Sequence, residues 1–356
     1  MRYAEVNKAW TEEPQLDLIE GLSIPWQAPN NNTLPLFSST CFMFGRNLHD
    51  KRKIPVGLVG IYVNQTDLLP WTPLDVIFSC KSEHHVDDRG YWNGMLFPFL
   101  NSSAKGGILY EGQVDVERGD NLTSHGCLLS GTINTWMRDQ NLTKLALVSL
   151  GNNQNSSFPN NQSWPQLRWI QANTSKHIQN TVLVPSNDLQ DPGHRLSRHK
   201  VDLASRIVNM TASPFDQAPS PPSILKSCYV YIYISLEMTE EVTLTEGYKA
   251  NGFQSCCRKI RQSNESCFLT GPNGDISVLA ESQRENGQKL FLFDQSCRVG
   301  NSNETGLVTE IYYGWNGGYP YMKAPLYGAF SKLPASSSFV PVIHDLHDPN
   351  CVHYAK

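Results

Sequence analysis

Lys105-Gly106-Gly107-Ile108-Leu109-Tyr110-Glu111-Gly112-Gln113-Val114-Asp115 is a short apolar run that breaks into a polar turn carrying a glycine. Runs of the same kind recur at Ile54 to Val63, at Leu145-Ala146-Leu147-Val148-Ser149-Leu150 and at Thr181-Val182-Leu183-Val184. Ser39-Thr40 can cap a helix that carries Cys41, Phe42, Phe44 and Leu48, and further helical patterns run from Gly126 to Gln140, Trp164 to Ser175 and Leu196 to Met210. Alternation of this kind predicts an α/β fold, a parallel sheet flanked by helices, with functional groups on the loops that leave the C-terminal strand ends. Chemistry is therefore sought just after Val63, Tyr110 and Val184. The turn Glu111 to Asp115 is the most site-like of these segments.

The pattern stops at Ala212-Ser213-Pro214-Phe215-Asp216-Gln217-Ala218-Pro219-Ser220-Pro221-Pro222, which reads as a linker over 213–222 between an α/β domain (1–212) and a β-rich domain (223–356). Alternating runs at Cys228 to Leu236, Ile276 to Leu279, Leu290 to Phe293 and Val308 to Tyr313 predict a small antiparallel sandwich. No internal repeat is present.

Eleven N-x-[ST] sequons occur, at Asn31, Asn64, Asn101, Asn121, Asn141, Asn155, Asn161, Asn173, Asn209, Asn264 and Asn303. At this composition chance would supply about a third as many. They are spread evenly, which favours a glycoprotein of the secretory pathway, secreted or lysosomal. Nine cysteines agree with an oxidising compartment: Cys41, Cys80, Cys127, Cys228, Cys256, Cys257, Cys267, Cys297 and Cys351. Cys256, Cys257, Cys267 and Cys297 are the best candidates for a local disulfide network, and the odd total leaves at least one thiol over. The opening Met1-Arg2-Tyr3-Ala4-Glu5 contains no export signal, so the chain reads as a secretory protein without its beginning.

A formal net charge of -4 and a pI near 6.2 argue against nucleic-acid or anionic-membrane partners. No segment approaches the roughly 18 consecutive apolar residues of a membrane span. No cysteine pair has zinc-ligand spacing. The clusters His84-His85-Val86-Asp87-Asp88 and His344-Asp345-Leu346-His347-Asp348 hold metal-compatible side chains without a diagnostic pattern. No metal and no cofactor is expected. A nucleophilic serine would need a tight turn, a histidine, an orienting carboxylate and oxyanion donors. The sequence has no GxSxG elbow; its nearest string, Gly119-Asp120-Asn121-Leu122, has asparagine at the nucleophile position.

Several segments together resemble the sialate O-acetylesterase family: Ser39-Thr40-Cys41-Phe42-Met43-Phe44-Gly45-Arg46, Ile54 to Val59, Tyr91-Trp92-Asn93-Gly94-Met95-Leu96-Phe97-Pro98, Lys105 to Gly112, Pro165-Gln166-Leu167-Arg168-Trp169 and Cys256-Cys257. Their order and spacing match over nearly the whole chain. The resemblance implies an SGNH-hydrolase-like domain, N-terminally incomplete here, followed by a β-rich antiparallel domain. The implied reaction is hydrolysis of O-acetyl esters on sialic acids, with O-acetylated sialoglycans as partners.

Carried over position by position, the family's pattern is broken. Its Gly-Gln-Ser-Asn nucleophile turn would lie upstream of Met1. Its Gly-Gly turn corresponds to Asn64-Gln65. Its Gln-Gly-Glu-Ser-Asn turn corresponds to Glu111-Gly112-Gln113-Val114-Asp115, so that Asp115 stands where a neutral oxyanion donor belongs; a carboxylate there repels the developing charge. The family's catalytic histidine falls near Leu196, and a gap shifted by a few residues would bring His194 or His199 to that position. Three readings follow: a truncated and catalytically degenerate family member, a fragment of an active esterase, or a binding glycoprotein using tyrosine-rich strands such as Tyr312 to Tyr319.

Overall fold

The computed structural model describes residues 1–80, 90–100, 102–118, 122–151, 163–189, 191, 197–212, 219–230, 233–245, 252–259, 268–269, 276–282, 289–294, 298–299, 304–313, 324 and 326–343. The chain divides into two compact units. One comprises Met1–Leu150, Ile170–Ser186 and Leu196–Ala218; the other comprises Gly151–Trp169, Asn187–Arg195 and Pro219–Lys356.

The first unit contains two three-stranded sheets. In one, β1 (Arg2–Val6) lies between β2 (Leu22–Gln27), antiparallel to it, and β3 (Gly57–Gly60), parallel to it with Tyr3 opposite Leu58. Helix α1 (Ser39–Arg52) connects β2 to β3 and is capped by Ser38, whose hydroxyl accepts the Cys41 amide, one residue ahead of the cap expected from sequence. It ends at Lys53, which takes the left-handed conformation at φ 56°. Phe42 and Phe44 of α1 pack with Tyr3, Ile24, Phe37 and Leu58. The long apolar run Ile54 to Val63 thus supplies only four strand residues, and β1 and β2 have no counterpart in the sequence reading.

The other sheet is wholly parallel: β4 (Gly107–Leu109), β5 (Leu145–Val148) and β6 (Thr181–Val184), side by side in chain order. Crossovers run through α3 (Gln113–Arg118) and α4 (His125–Asp139), then through α5 (Ser163–His177); α6 (Lys200–Ala212) follows β6. Every residue of β5 and β6 is buried, as expected of parallel strands with both faces covered. Leu129 and Ile133 of α4, Leu145 and Leu147 of β5, and Val76 and Ile77 of α2 (Leu74–Ser79) share one core. Helix α2 approaches α4 closely because Gly131 lacks a side chain; a Cβ there would stand 2.4 Å from a Val76 methyl. Cys80, at the end of α2, is disulfide-bonded to Cys127 of α4.

The second unit is built on nine connected strands, ordered β11-β10-β15-β17-β7-β8-β13-β12 with β14 beside β15. They are β7 (Ile224–Val230), β8 (Tyr233–Met238), β10 (Phe253–Lys259), β11 (Phe268–Leu269), β12 (Ile276–Ser282), β13 (Lys289–Asp294), β14 (Arg298–Val299), β15 (Glu304–Tyr313) and β17 (Ser338–Ile343). All pairings are antiparallel except β17 with β7. The run Cys228 to Leu236, read as one strand, is split between β7 and β8 of an antiparallel pair. A two-stranded ladder joins β9 (Val242–Leu244) to β16 (Leu326–Gly328). Ile234, Leu236, Leu290, Leu292, Ile311 and Tyr313 are central to the core. Arg168 is fully buried in this unit and its Nε donates to Ser337 Oγ at 2.9 Å.

Cys228 and Cys256 each take part in a disulfide bond, and Cys41 is free. Among the described residues no helix is long and apolar enough to cross a membrane.

Candidate functional site

The turn after β4 places Glu111, Gly112 and the first residues of α3 at the C-terminal end of the parallel sheet. Gly112 has φ 100°, a backbone state that penalises any side chain, and the chain reverses there into α3. One helical turn on, Asp115 is buried. From the head of α4, His125 inserts between the two carboxylates. Its Nε2 lies 3.4 Å from Glu111 Oε2 and its Nδ1 lies 3.5 Å from Asp115 Oδ1; only 4% of its side chain is exposed.

These three residues belong to a longer buried network. Gln171 on α5 donates to the backbone oxygen and to Oε1 of Glu111, both at 3.2 Å, while its own oxygen accepts the Leu150 amide at 2.8 Å. At the far side, Asp115 Oδ1 accepts the Leu68 amide at 3.3 Å. Burial alone would strip the charge from His125, but Glu111 and Asp115 outweigh it and push its pKa up to about 10. The ring is therefore an imidazolium at neutral pH, with both nitrogens turned to carboxylates.

His125 and Asp115 form part of the wall of a cavity of about 450 Å³, together with Trp10, Gln65, Thr66, Asp67, Leu68, Tyr91, Arg118, Leu122 and Ser124. Trp10 meets Tyr91 edge to face at 5.1 Å, and Tyr91 packs on Trp71 at 5.3 Å. Trp71 Nε1 donates to Thr66 Oγ1 at 3.0 Å, and Thr66 donates to the Val63 carbonyl at 3.1 Å. At the rim Arg118 pairs with Asp67.

Of the positions singled out from sequence, Gln65 and Asp115 border this cavity, and Glu111 stands behind it against His125. Asn64 is exposed next to Gln65. The Gln113 amide is turned onto its own helix, donating to Glu117 at 2.8 Å. His199 sits half-buried ahead of α6, 3.9 Å from Asp202, and is not among the residues bordering the cavity. His194 and Leu196 lie outside the described residues, as do Asn101, Asn121, Asn155, Asn161, Asn264, Asn303 and both histidine-carboxylate clusters. Among the described residues no group of three or more His, Cys, Asp or Glu side chains could hold a metal ion. Sequence reading missed His125, Arg118, Trp10 and Gln171. No spacing pattern marks them, and His125 lies one residue before the helical pattern expected from Gly126.

Gln65 has φ 63°, in the region that favours glycine. Replacing Gln65 with glycine is expected to raise stability by about 0.5–1 kcal/mol, since relief of the backbone strain exceeds the entropy that glycine adds to the unfolded chain. Denaturant titration of Q65G against the parent protein tests this; a lower midpoint refutes it.

No protein-family model matches the chain. Individual proteins do. The sialate O-acetylesterases of Pongo abelii and Homo sapiens are each 23% identical to it, over 98% and 94% of this chain and 70% and 67% of their own lengths. The chain is a homologue of the sialate O-acetylesterases. Among solved structures, a carbohydrate acetylesterase from Xanthomonas citri superposes with a TM-score of 0.72 at 16% identity, covering 95% of this chain and 73% of the other. That match bears on fold, and it agrees with the parallel sheet and helices described above. At the end of its parallel sheet this chain carries a buried histidine flanked by two carboxylates.

Proposed function

We propose that this chain is a catalytically degenerate sialate O-acetylesterase, which keeps the family's fold and a cavity for O-acetylated sialoglycans without hydrolysing their esters. One observation carries the reading: the cavity's buried histidine, His125, has a carboxylate facing each ring nitrogen, Glu111 3.4 Å from Nε2 and Asp115 3.5 Å from Nδ1. An imidazolium with a pKa near 10 has no lone pair with which to take a proton from a hydroxyl. Asp115, in addition, puts a carboxylate where an esterase of this family needs a neutral donor, and charge developing on a carbonyl oxygen would be repelled. The glycine-favouring φ of Gln65 supports aligning Asn64-Gln65 with the family's Gly-Gly turn.

A secretory address belongs to the same reading. It is supported by the disulfide between Cys80 and Cys127 and by the sequons. The expected result with a 9-O-acetylated sialoside or a small aryl acetate is release of acetate no faster than in buffer, and no labelling by a serine-directed fluorophosphonate. Turnover that the fluorophosphonate abolishes would overturn the proposal.

A further inference from the structure

The sequons can be sorted by where the fold puts them. Asn31, Asn64, Asn141, Asn173 and Asn209 are the described ones, and all five are exposed. Asn173 and Asn209 lie within helices α5 and α6, and the Asn209 side-chain oxygen accepts Lys51 Nζ at 2.9 Å. Asn64 occupies a turn, as does Gln65. Of the five, Asn64 alone is followed directly by residues that border the cavity, Gln65 and Thr66. Adjacent Cα atoms are about 3.8 Å apart, so anything attached to Asn64 starts at the rim. The turn is also anchored. Thr66 is held by Trp71 and by the Val63 carbonyl, which stops the segment from swinging away. Trp10 also borders the cavity and is 46% exposed, an aromatic face on which a sugar ring can stack.

We propose that Asn64 carries an N-linked glycan and that this glycan covers the mouth of the cavity. The bond formed joins the Asn64 side-chain nitrogen to the first sugar of a lipid-linked oligosaccharide, whose lipid diphosphate leaves. The glycan then limits the space bounded by Gln65, Trp10 and Tyr91 to a single terminal sugar, such as the sialic acid of the proposed ligand, and excludes bulkier groups. The inference rests on the secretory address proposed above, and does not depend on whether the cavity is catalytic.

The test uses the full chain secreted from mammalian cells behind a cleavable signal peptide. Mass spectrometry of glycopeptides reads occupancy at Asn64, with Asn31 and Asn141 in the same molecules reporting that the chain met the transferase. Hydroxyl-radical footprinting then compares Trp10 oxidation in the secreted protein and in N64Q, with N31Q as a control. Occupancy at Asn64 and several-fold faster oxidation of Trp10 in N64Q, but not in N31Q, are expected. Glycans at Asn31 or Asn141 with none at Asn64 overturn the inference and leave the address standing; no glycan anywhere overturns both. Equal oxidation of Trp10 in the secreted protein and N64Q overturns the covering role. Should N64Q fail to be secreted, enzymatic trimming of the folded glycoprotein gives the same comparison, and unchanged Trp10 oxidation after trimming counts against the proposal.

Discussion

Replacing His125 with leucine is expected to cost about 3–5 kcal/mol at pH 7, which is the largest loss foreseen for any single side chain of the first unit. Leucine fills the space of the ring but leaves Glu111 and the buried Asp115 without the cation that stands between them. The penalty should shrink as the pH rises toward 10, where the parent's ring gives up its proton. Folding raises the His125 pKa from 6.5 to about 10, so the proton is held more tightly in the folded state. The stability this contributes is complete below pH 6.5 and is lost as the pH rises through 10. Urea titrations of both proteins between pH 5 and pH 10 read the two slopes. A loss below about 1 kcal/mol, or parallel pH profiles, would show that the clamp described for His125 does not exist in solution.

Why this histidine escaped a reading that found the neighbouring turn is a matter of what each residue depends on. Strands β5 and β6 are buried on both faces, so they appear in sequence as unbroken apolar runs, and α4 and α5 follow from helical periodicity to within two residues. The turn Glu111 to Asp115 was legible by position alone, because a polar break with glycine after a parallel strand falls at the sheet's C-terminal end. His125 has no such marker. Its relation to Glu111 is created by the crossover through α3, which returns the chain to the same strand end fourteen residues later. The other failures have equally local causes. Arg2 to Val6 mixes charged and apolar residues, and Leu22 to Gln27 contains Pro25, so neither β1 nor β2 resembles a buried strand. Between β7 and β8 stand Tyr231 and Ile232, with none of the Gly, Asn or Pro that announce a turn.

Reduction of the bond between Cys80 and Cys127, or its removal in C80A/C127A, is expected to destabilise the first unit by about 4 kcal/mol, the loop-closure entropy that a crosslink of this span removes from the unfolded chain. The two residues are 47 apart in sequence, and nothing in their spacing singles them out from the other possible pairings of nine cysteines. Their effect reaches the site. Cys127 lies two residues beyond His125 in the first turn of α4, so the crosslink pins that turn to the end of α2. The apolar contacts of Val76 and Ile77 with Leu128 and Leu129 hold the two helices together farther along, and they survive reduction. What is lost is the fixed position of the helix head, and with it part of the alignment of the imidazolium between its carboxylates. Removing the disulfide should thus lower the pKa of His125 from about 10 toward the ordinary value as well as lowering the unfolding midpoint. Histidine resonances followed by NMR across the alkaline range, with and without reductant, separate the two effects. Loss of stability with an unmoved His125 titration would mean that the bond acts on the unfolded chain alone, and that Glu111 and Asp115 hold the ring without its help.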